Sequence, residues 1–224
     1  MFFSRIAIHE DAVSSRRFWS AFRSLYSVHQ AIWSLFGDRP DRERDFLYHV
    51  KETSGPPVVY ALSTREPSNT DELWRVQAVD FAPKLHEGMR LGFLLRANPV
   101  RTREGRRHDV IMEEKHRLKA GSVPRAEWPL EAELVQEAGA SWLAARSERA
   151  GFRVHAVRVD GYRQHDFSKQ GDGCRVRFST VDFTGLLEIL DPTCFFREAL
   201  CRGIGHAKGF GCGMILIRRP VSLP

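Results

Sequence analysis

The sequence predicts an α+β protein made of two successive βαββαβ units, and three observations predict it. Short β-prone runs alternate with helical stretches in the same element order twice along 224 residues. Turn-rich stretches such as Thr53-Ser54-Gly55-Pro56-Pro57 separate neighbouring runs. A charged segment at 82–90, containing Pro83 and Gly88, separates the two halves. Strand, helix, strand, strand, helix, strand is the ferredoxin-like (RRM-like) order. We therefore expect one domain over 1–84 and a second over 90–224. The repetition is one of element order only, without residue-level similarity between the halves.

In the first half, Phe2–Ile8 is apolar and β-prone and makes the first strand. Ser14 or Ser15 caps a helix that runs to Phe36 and stops at Gly37-Asp38-Arg39-Pro40. Its apolar seam is Phe18, Phe22, Leu25, then position 29, then Ile32 and Phe36. Position 29 is His29, with Tyr26 and Trp33 on the same side of the helix. A lone histidine on an apolar stripe is more often a satisfied core residue. The other reading, which Tyr26 favours, is a proton-transfer pair at the edge of a cleft. Residues 46–50 and 58–62 are two short strands around the turn Thr53-Ser54-Gly55-Pro56-Pro57. A helical turn at 70–73 leads into a last strand over 74–79.

In the second half, 91–100 is a strand, 127–150 is mostly helix, and 152–159 and 175–182 are strands. Residues 185–190 extend the sheet. Asp191-Pro192 opens a second helix with an N-cap and a proline at N1, Gly203 closes it, and 213–217 is the last strand.

Two stretches stand outside this regular pattern. Residues 96–125 hold nine basic side chains (Arg96, Arg101, Arg103, Arg106, Arg107, Lys115, Arg117, Lys119, Arg125) against four acidic ones. That surplus of five accounts for nearly all of the chain's net +6. A charge run is usually a solvated face, but clustered arginine on a loop is also what contact with a phosphate backbone needs, and the neutral remainder of the chain favours nucleic acid. Arg175, opening a later strand, joins the same candidate surface.

The other stretch is 203–213, five of whose eleven residues are glycine. It lies between a helix and a strand, the reverse of a dinucleotide or P-loop site, and fits neither glycine fingerprint. It is either a flexible connection or a backbone cradle in which Lys208, His206 and the bare N–H groups at Gly209 and Gly211 hold phosphates.

Other chemistries find no foothold. The nine histidines are scattered, with no H-E-x-x-H and no paired Cys/His spacing, so no metal or cofactor is expected. G-x-S-x-G is absent. Four cysteines without a C-x-x-C pair read as reduced thiols of a cytoplasmic protein, and there is neither a signal-peptide h-region nor an apolar run of membrane-spanning length. Histidine, tyrosine and lysine suffice to cleave RNA, whose 2′-hydroxyl is a built-in nucleophile.

Three motifs then carry a resemblance. Residues 25–36, with Arg39-Pro40 and Asp45-Phe46-Leu47, resemble the signature of the CasE-type endoribonucleases, which process CRISPR precursor RNA in type I-E systems. Leu94-Leu95-Arg96-Ala97-Asn98-Pro99 resembles the strand opening their second domain, and 203–213 their C-terminal glycine-rich loop. The resemblance implies two tandem ferredoxin-like domains that bind a repeat hairpin and cut at the 3′ base of its stem without metal. A 2′,3′-cyclic phosphate and a 5′-hydroxyl result, and the protein stays on the guide with other subunits of the surveillance complex. His29 falls on the catalytic histidine and Tyr26 on the assisting tyrosine; the basic segment after Pro99 falls where the family grips the stem. The rival from another class is a non-catalytic RNA-binding subunit in which His29 is structural. A ferredoxin-like regulator of acidic ligands ranks below both.

Overall fold

A computed structural model describes residues 1–37, 44–68, 72–168 and 175–220. They form two compact units. Met1–Lys84 clusters with Lys208–Met214, and Leu85–Ala207 with the chain from Ile215 onward. The glycine-rich loop thus crosses from the second unit's part of the chain into the first unit's.

In the first unit, β1 (Phe2–Ile8) is followed by α1 (Arg16–Phe22) and α2 (Leu25–Ser34), then β2 (Phe46–Lys51), β3 (Val58–Ser63) and β4 (Trp74–Asp80). The sheet is antiparallel with order β2-β3-β1-β4, and Ile6 pairs with Val59 on one side and Val76 on the other. The apolar β1 belongs at the centre because Ser4, Ile6 and Ile8 all turn to the buried face, as a period of two requires. That face and the helices close over Phe18, Val28, Ile32, Phe46, Tyr48 and Trp74. Each large side chain buried there contributes roughly 1.5–3 kcal/mol.

The single helix expected from Ser15 to Phe36 is two helices. Ser15 caps α1, its Oγ accepting from the Phe18 N–H. Ser24 then leaves helical geometry (φ −154°, ψ 162°), and its Oγ accepts from the Ser27 N–H to start α2. A serine between two helical runs competes for the backbone in this way. The break resets the seam: Val28 and Ile32 form the buried stripe of α2, and His29 lies half-buried beside it. Of the helical turn expected at 70–73, residues 70 and 71 lie outside the described residues, and 72 and 73 form a turn.

The second unit contains β5 (Arg90–Ala97), the hairpin β6 (Val100–Arg103) and β7 (Arg106–Asp109), α3 (Val110–Ala120), α4 (Glu131–Ser147), β8 (Phe152–Ser168) and β9 (Arg175–Ile189). A helical turn, Pro192–Cys194, runs into a π-helix, Phe195–Cys201, before β10 (Ile215–Arg218). The sheet order is β10-β5-β9-β8, again antiparallel. Both sheets therefore have the order expected of a ferredoxin-like βαββαβ fold. On β5, alternate residues Leu91, Phe93, Leu95 and Ala97 are buried. The helix α4 lies close on β8 because Gly139 has no side chain; a Cβ there would meet Val159 Cγ1 at 2.5 Å.

The basic stretch expected as a loop is instead a hairpin and a helix. Glu104 and Gly105 both take positive φ (49° and 75°), the mirror-image turn that matches strand twist. Asp109 then caps α3 through the Ile111 and Met112 N–H groups. Strands β8 and β9 are also longer than expected. They run on as a two-stranded arm past a register shift at Asp160/Arg163. No helix among the described residues is long and apolar enough to cross a membrane.

Candidate functional site

Helix α2 presents Tyr26, His29 and Trp33 along one flank, as their spacing requires. The His29 ring lies 5.5 Å from Trp33, 5.7 Å from Phe210 and 6.3 Å from Tyr26, centre to centre. Phe210 comes from the glycine-rich loop, whose residues Lys208–Phe210 form one 3-10 turn. The bare Cα of Gly209 faces the imidazole: a Cβ there would stand 3.6 Å from His29 Cε1 and 3.8 Å from Nδ1. Helix and loop thus bring together His29, Tyr26, Lys208 and Gly209, all within the first unit.

Tyr48 on β2 holds the loop in that place. It is buried, and its hydroxyl donates to the Gly209 carbonyl at 2.8 Å. Its ring lies under Gly211, whose φ of +79° and lack of a Cβ (3.1 Å from Tyr48 Cε2) both demand glycine. Burial, with a smaller contribution from Cys212, pushes the Tyr48 phenol far up, and the Arg44 charge opposes this only in part. Tyr48 is therefore a neutral donor at any physiological pH. Arg44 stands beside the same turn, 3.8 Å from the Gly209 Cβ position. Sequence reasoning missed Arg44, Tyr48 and Phe210. Tyr48 carried only a strand signal, and Arg44 none.

The remainder of the loop is pinned within the second unit. His206 makes a β-bridge with Asn98, whose side-chain amide donates to the Ser179 carbonyl at 2.7 Å. Gly205 packs on Trp142, where a Cβ would meet the ring at 3.1 Å. The exposed His206 is thus placed by its backbone within the second unit.

The hairpin gathers four of the arginines singled out above. Arg101 and Arg103 lie on β6, Arg106 and Arg107 on β7, and Arg103 stands directly opposite Arg106. Like charges opposed across a ladder destabilise it, so the arrangement favours an anion above it. Arg106 and Arg107 are exposed and carry no ion pair among the described residues. Arg103 has Glu113 at 3.4 Å. Arg101 is half-buried, and its charge adds to burial in lowering the pKa of Arg146. The other basic candidates are engaged locally: Lys115 with Glu131, Arg117 with Glu114, and Arg175, together with Arg177, with Asp166. Among the described residues no group of His, Cys, Asp and Glu is arranged to hold a metal. Cys194, Cys201 and Cys212 take part in no disulfide, and Cys174 lies outside the described residues.

The fold is a tandem ferredoxin-like one, whose first unit sets a histidine against a bare backbone turn and whose second carries an arginine hairpin. Comparisons with known proteins make the class specific. A family model described as CRISPR associated protein matches residues 1–219. The chain belongs to that family. The CRISPR system Cascade subunit CasE of Escherichia coli (strain K12) is 36% identical over 202 residues, which cover 89% of this chain and 93% of that protein. The CRISPR-associated endoribonuclease Cse3 of Thermus thermophilus is 26% identical, covering 97% of this chain and 99% of its own length. Among solved structures, Cas6e from Escherichia coli K-12 superposes with a TM-score of 0.64 at 31% identity over 98% of this chain and all of that one. Cse3 bound to a 19-nucleotide RNA gives a TM-score of 0.73 at 23% identity over 97% of this chain and all of that one, a likeness of fold.

Proposed function

We propose that this chain is the endoribonuclease that cleaves CRISPR precursor RNA within its repeat hairpins and then remains on the guide RNA as a subunit of the surveillance complex. The relatives named above as an endoribonuclease and as a Cascade subunit support the reading. The observation that carries it to named residues is the approach of His29 to the bare backbone of Gly209, next to Lys208.

In the reaction the substrate's 2′-hydroxyl attacks the adjacent phosphorus in line with the leaving 5′-oxygen. His29 exchanges a proton with the reacting oxygens, as general acid to the 5′-oxygen or as base to the 2′-hydroxyl. Tyr26 orients it from the preceding turn. Lys208 and the N–H groups around Gly209 and Gly211 receive the phosphate as charge develops. Cyclisation onto the 2′-oxygen leaves a 2′,3′-cyclic phosphate and a 5′-hydroxyl, with no metal or cofactor assigned a step.

The hairpin Arg101, Arg103, Arg106 and Arg107 supplies phosphate contacts along the stem. Lys115, Arg117 and Arg175 add to them by exchanging their carboxylate partners for phosphate. An A-form stem offers shape and phosphates more readily than base edges, so recognition rests on these. With the loop Lys208–Met214 added to it, the domain at 1–84 carries the chemistry, and the rest of the domain at 90–224 carries the grip. We place the protein in the cytoplasm, where the precursor RNA is made.

The test is cleavage of a labelled cognate repeat hairpin, with and without chelator. Cutting at one bond that persists in chelator is expected. Tight binding without cutting would make the protein a non-catalytic RNA-binding subunit.

A further inference from the structure

Arg44 stands at the same turn as His29. The position a Cβ would take on Gly209 lies 3.6 Å from His29 Cε1 and 3.8 Å from Arg44 Nη1. Both side chains therefore stand against the same bare backbone turn, within about 4 Å of one point. The neighbouring carboxylate does not neutralise the guanidinium. Asp45 accepts from Arg65 Nε at 3.0 Å and Nη2 at 3.2 Å, and from Thr64 Oγ1 at 2.9 Å. Burial alone would raise the Asp45 pKa, but those donors outweigh it and hold the carboxyl below its usual range. Asp45 is thus engaged by Arg65 and Thr64.

Arg44 itself is half-buried. Burial lowers its pKa, opposed only by the Tyr48 phenol, and no carboxylate pairs with it among the described residues. A guanidinium withdrawn from water without a counter-charge is costly unless an anion completes the site. The geometry of its five donors suits a phosphate.

We propose that Arg44 is a catalytic residue, its guanidinium binding a non-bridging oxygen of the scissile phosphate beside His29 and stabilising the charge that gathers there. The inference rests on the endoribonuclease reading above. As the 2′-oxygen forms its bond to phosphorus, the bond to the 5′-oxygen breaks and its electron pair leaves with that oxygen. The 2′-hydroxyl gives up one proton and the 5′-oxygen gains one. Arg44 keeps all of its protons throughout, since arginine does not titrate in this range. Its contribution is electrostatic, and greatest when the phosphorane oxygens carry most charge.

The experiment measures single-turnover cleavage of a cognate hairpin at saturating protein, with hairpin affinity measured in parallel. Arg44→Ala should slow cleavage by roughly 10²–10³-fold while affinity stays within a few-fold. Arg44→Lys should recover part of the rate, and free guanidinium ion should restore part of it to Arg44→Ala. A phosphorothioate at the scissile phosphate should slow the wild type in one configuration and lose that effect in Arg44→Ala. Arg44→Gln keeps most of the side chain and removes the charge, so it provides the same test should the alanine variant unfold. A folded neutral variant that cuts within a few-fold of wild type overturns the inference. So does a rate loss matched by lost affinity, or an unchanged phosphorothioate effect. If the wild type itself leaves every hairpin uncut, the endoribonuclease reading fails instead.

Discussion

In the first unit the sheet order β2-β3-β1-β4 is covered by two short helices, and the loop Lys208–Met214 packs against the same unit. In the second, the same order, β10-β5-β9-β8, carries an arginine hairpin between its first strand and its helices and a long β8–β9 arm. One topology therefore carries two different arrangements of side chains. Where helix, strand and loop converge on His29, side chains are half-buried and closely placed, which suits chemistry. On the two-stranded ribbon, Arg103, Arg106 and Arg107 remain exposed, which suits a phosphate backbone. The difference predicts that damage to the first unit shows in rate and damage to the second shows in affinity.

The strongest test of that division is made on the substrate. Replacing the ribose upstream of the scissile phosphate with deoxyribose removes the nucleophile, so cleavage should stop while affinity hardly changes. A deoxy substrate still cut at that bond would mean an activated water. His29→Ala comes next: single-turnover cleavage should fall by about 10²–10⁴-fold, with hairpin affinity within a few-fold. A variant that cuts at the wild-type rate would return His29 to a packing role. Tyr26→Phe, which removes one hydroxyl, should be milder.

For the second unit, reversing Arg101, Arg103, Arg106 and Arg107 together should weaken hairpin binding. The slope of log K against log salt should become shallower by about 0.7–0.9 for each phosphate that the protein no longer neutralises. An unchanged affinity and slope would make the hairpin a solvated face. Its saturated cleavage rate should stay near wild type; a rate loss as large as that of His29→Ala would break the division between the units.

The smallest effect concerns the anchor of the loop. Burial raises the Tyr48 phenol, so the folded state keeps its proton where the unfolded chain loses it. The stability this gives is present below the unfolded value of about 10 and falls by about 1.4 kcal/mol per pH unit above it. Melting temperature should therefore drop on alkalinisation, and Tyr48→Phe should flatten that drop. At neutral pH the same variant should cost about 1–3 kcal/mol by leaving the Gly209 carbonyl without its donor. A pH profile identical in the two proteins would mean that Tyr48 is not the anchor.

Strands with one buried face were legible because a period of two survives in composition: Phe2–Ile8 and the starts of β2, β3 and β5 fall where the residues place them. The fold class and the CRISPR-associated family were legible too, through element order and three motifs. The hairpin β6–β7 was not, because it is mostly exposed and has no apolar alternation to announce it. The far arm of β8 was hidden for the same reason. The break at Ser24 left no gap in the apolar pattern; one hydroxyl accepting from the Ser27 N–H decides it.

By itself, then, the sequence determined which apolar segments are strands, where glycines cluster, and which histidine has a tyrosine three residues before it. These are local quantities, set by propensity, periodicity and spacing. Only the tertiary structure decided that Gly209 faces His29 across 180 residues of chain, that Tyr48 holds it there, and that Arg44 stands beside both. Those contacts come from chain segments that share no local pattern, and packing alone brings them together.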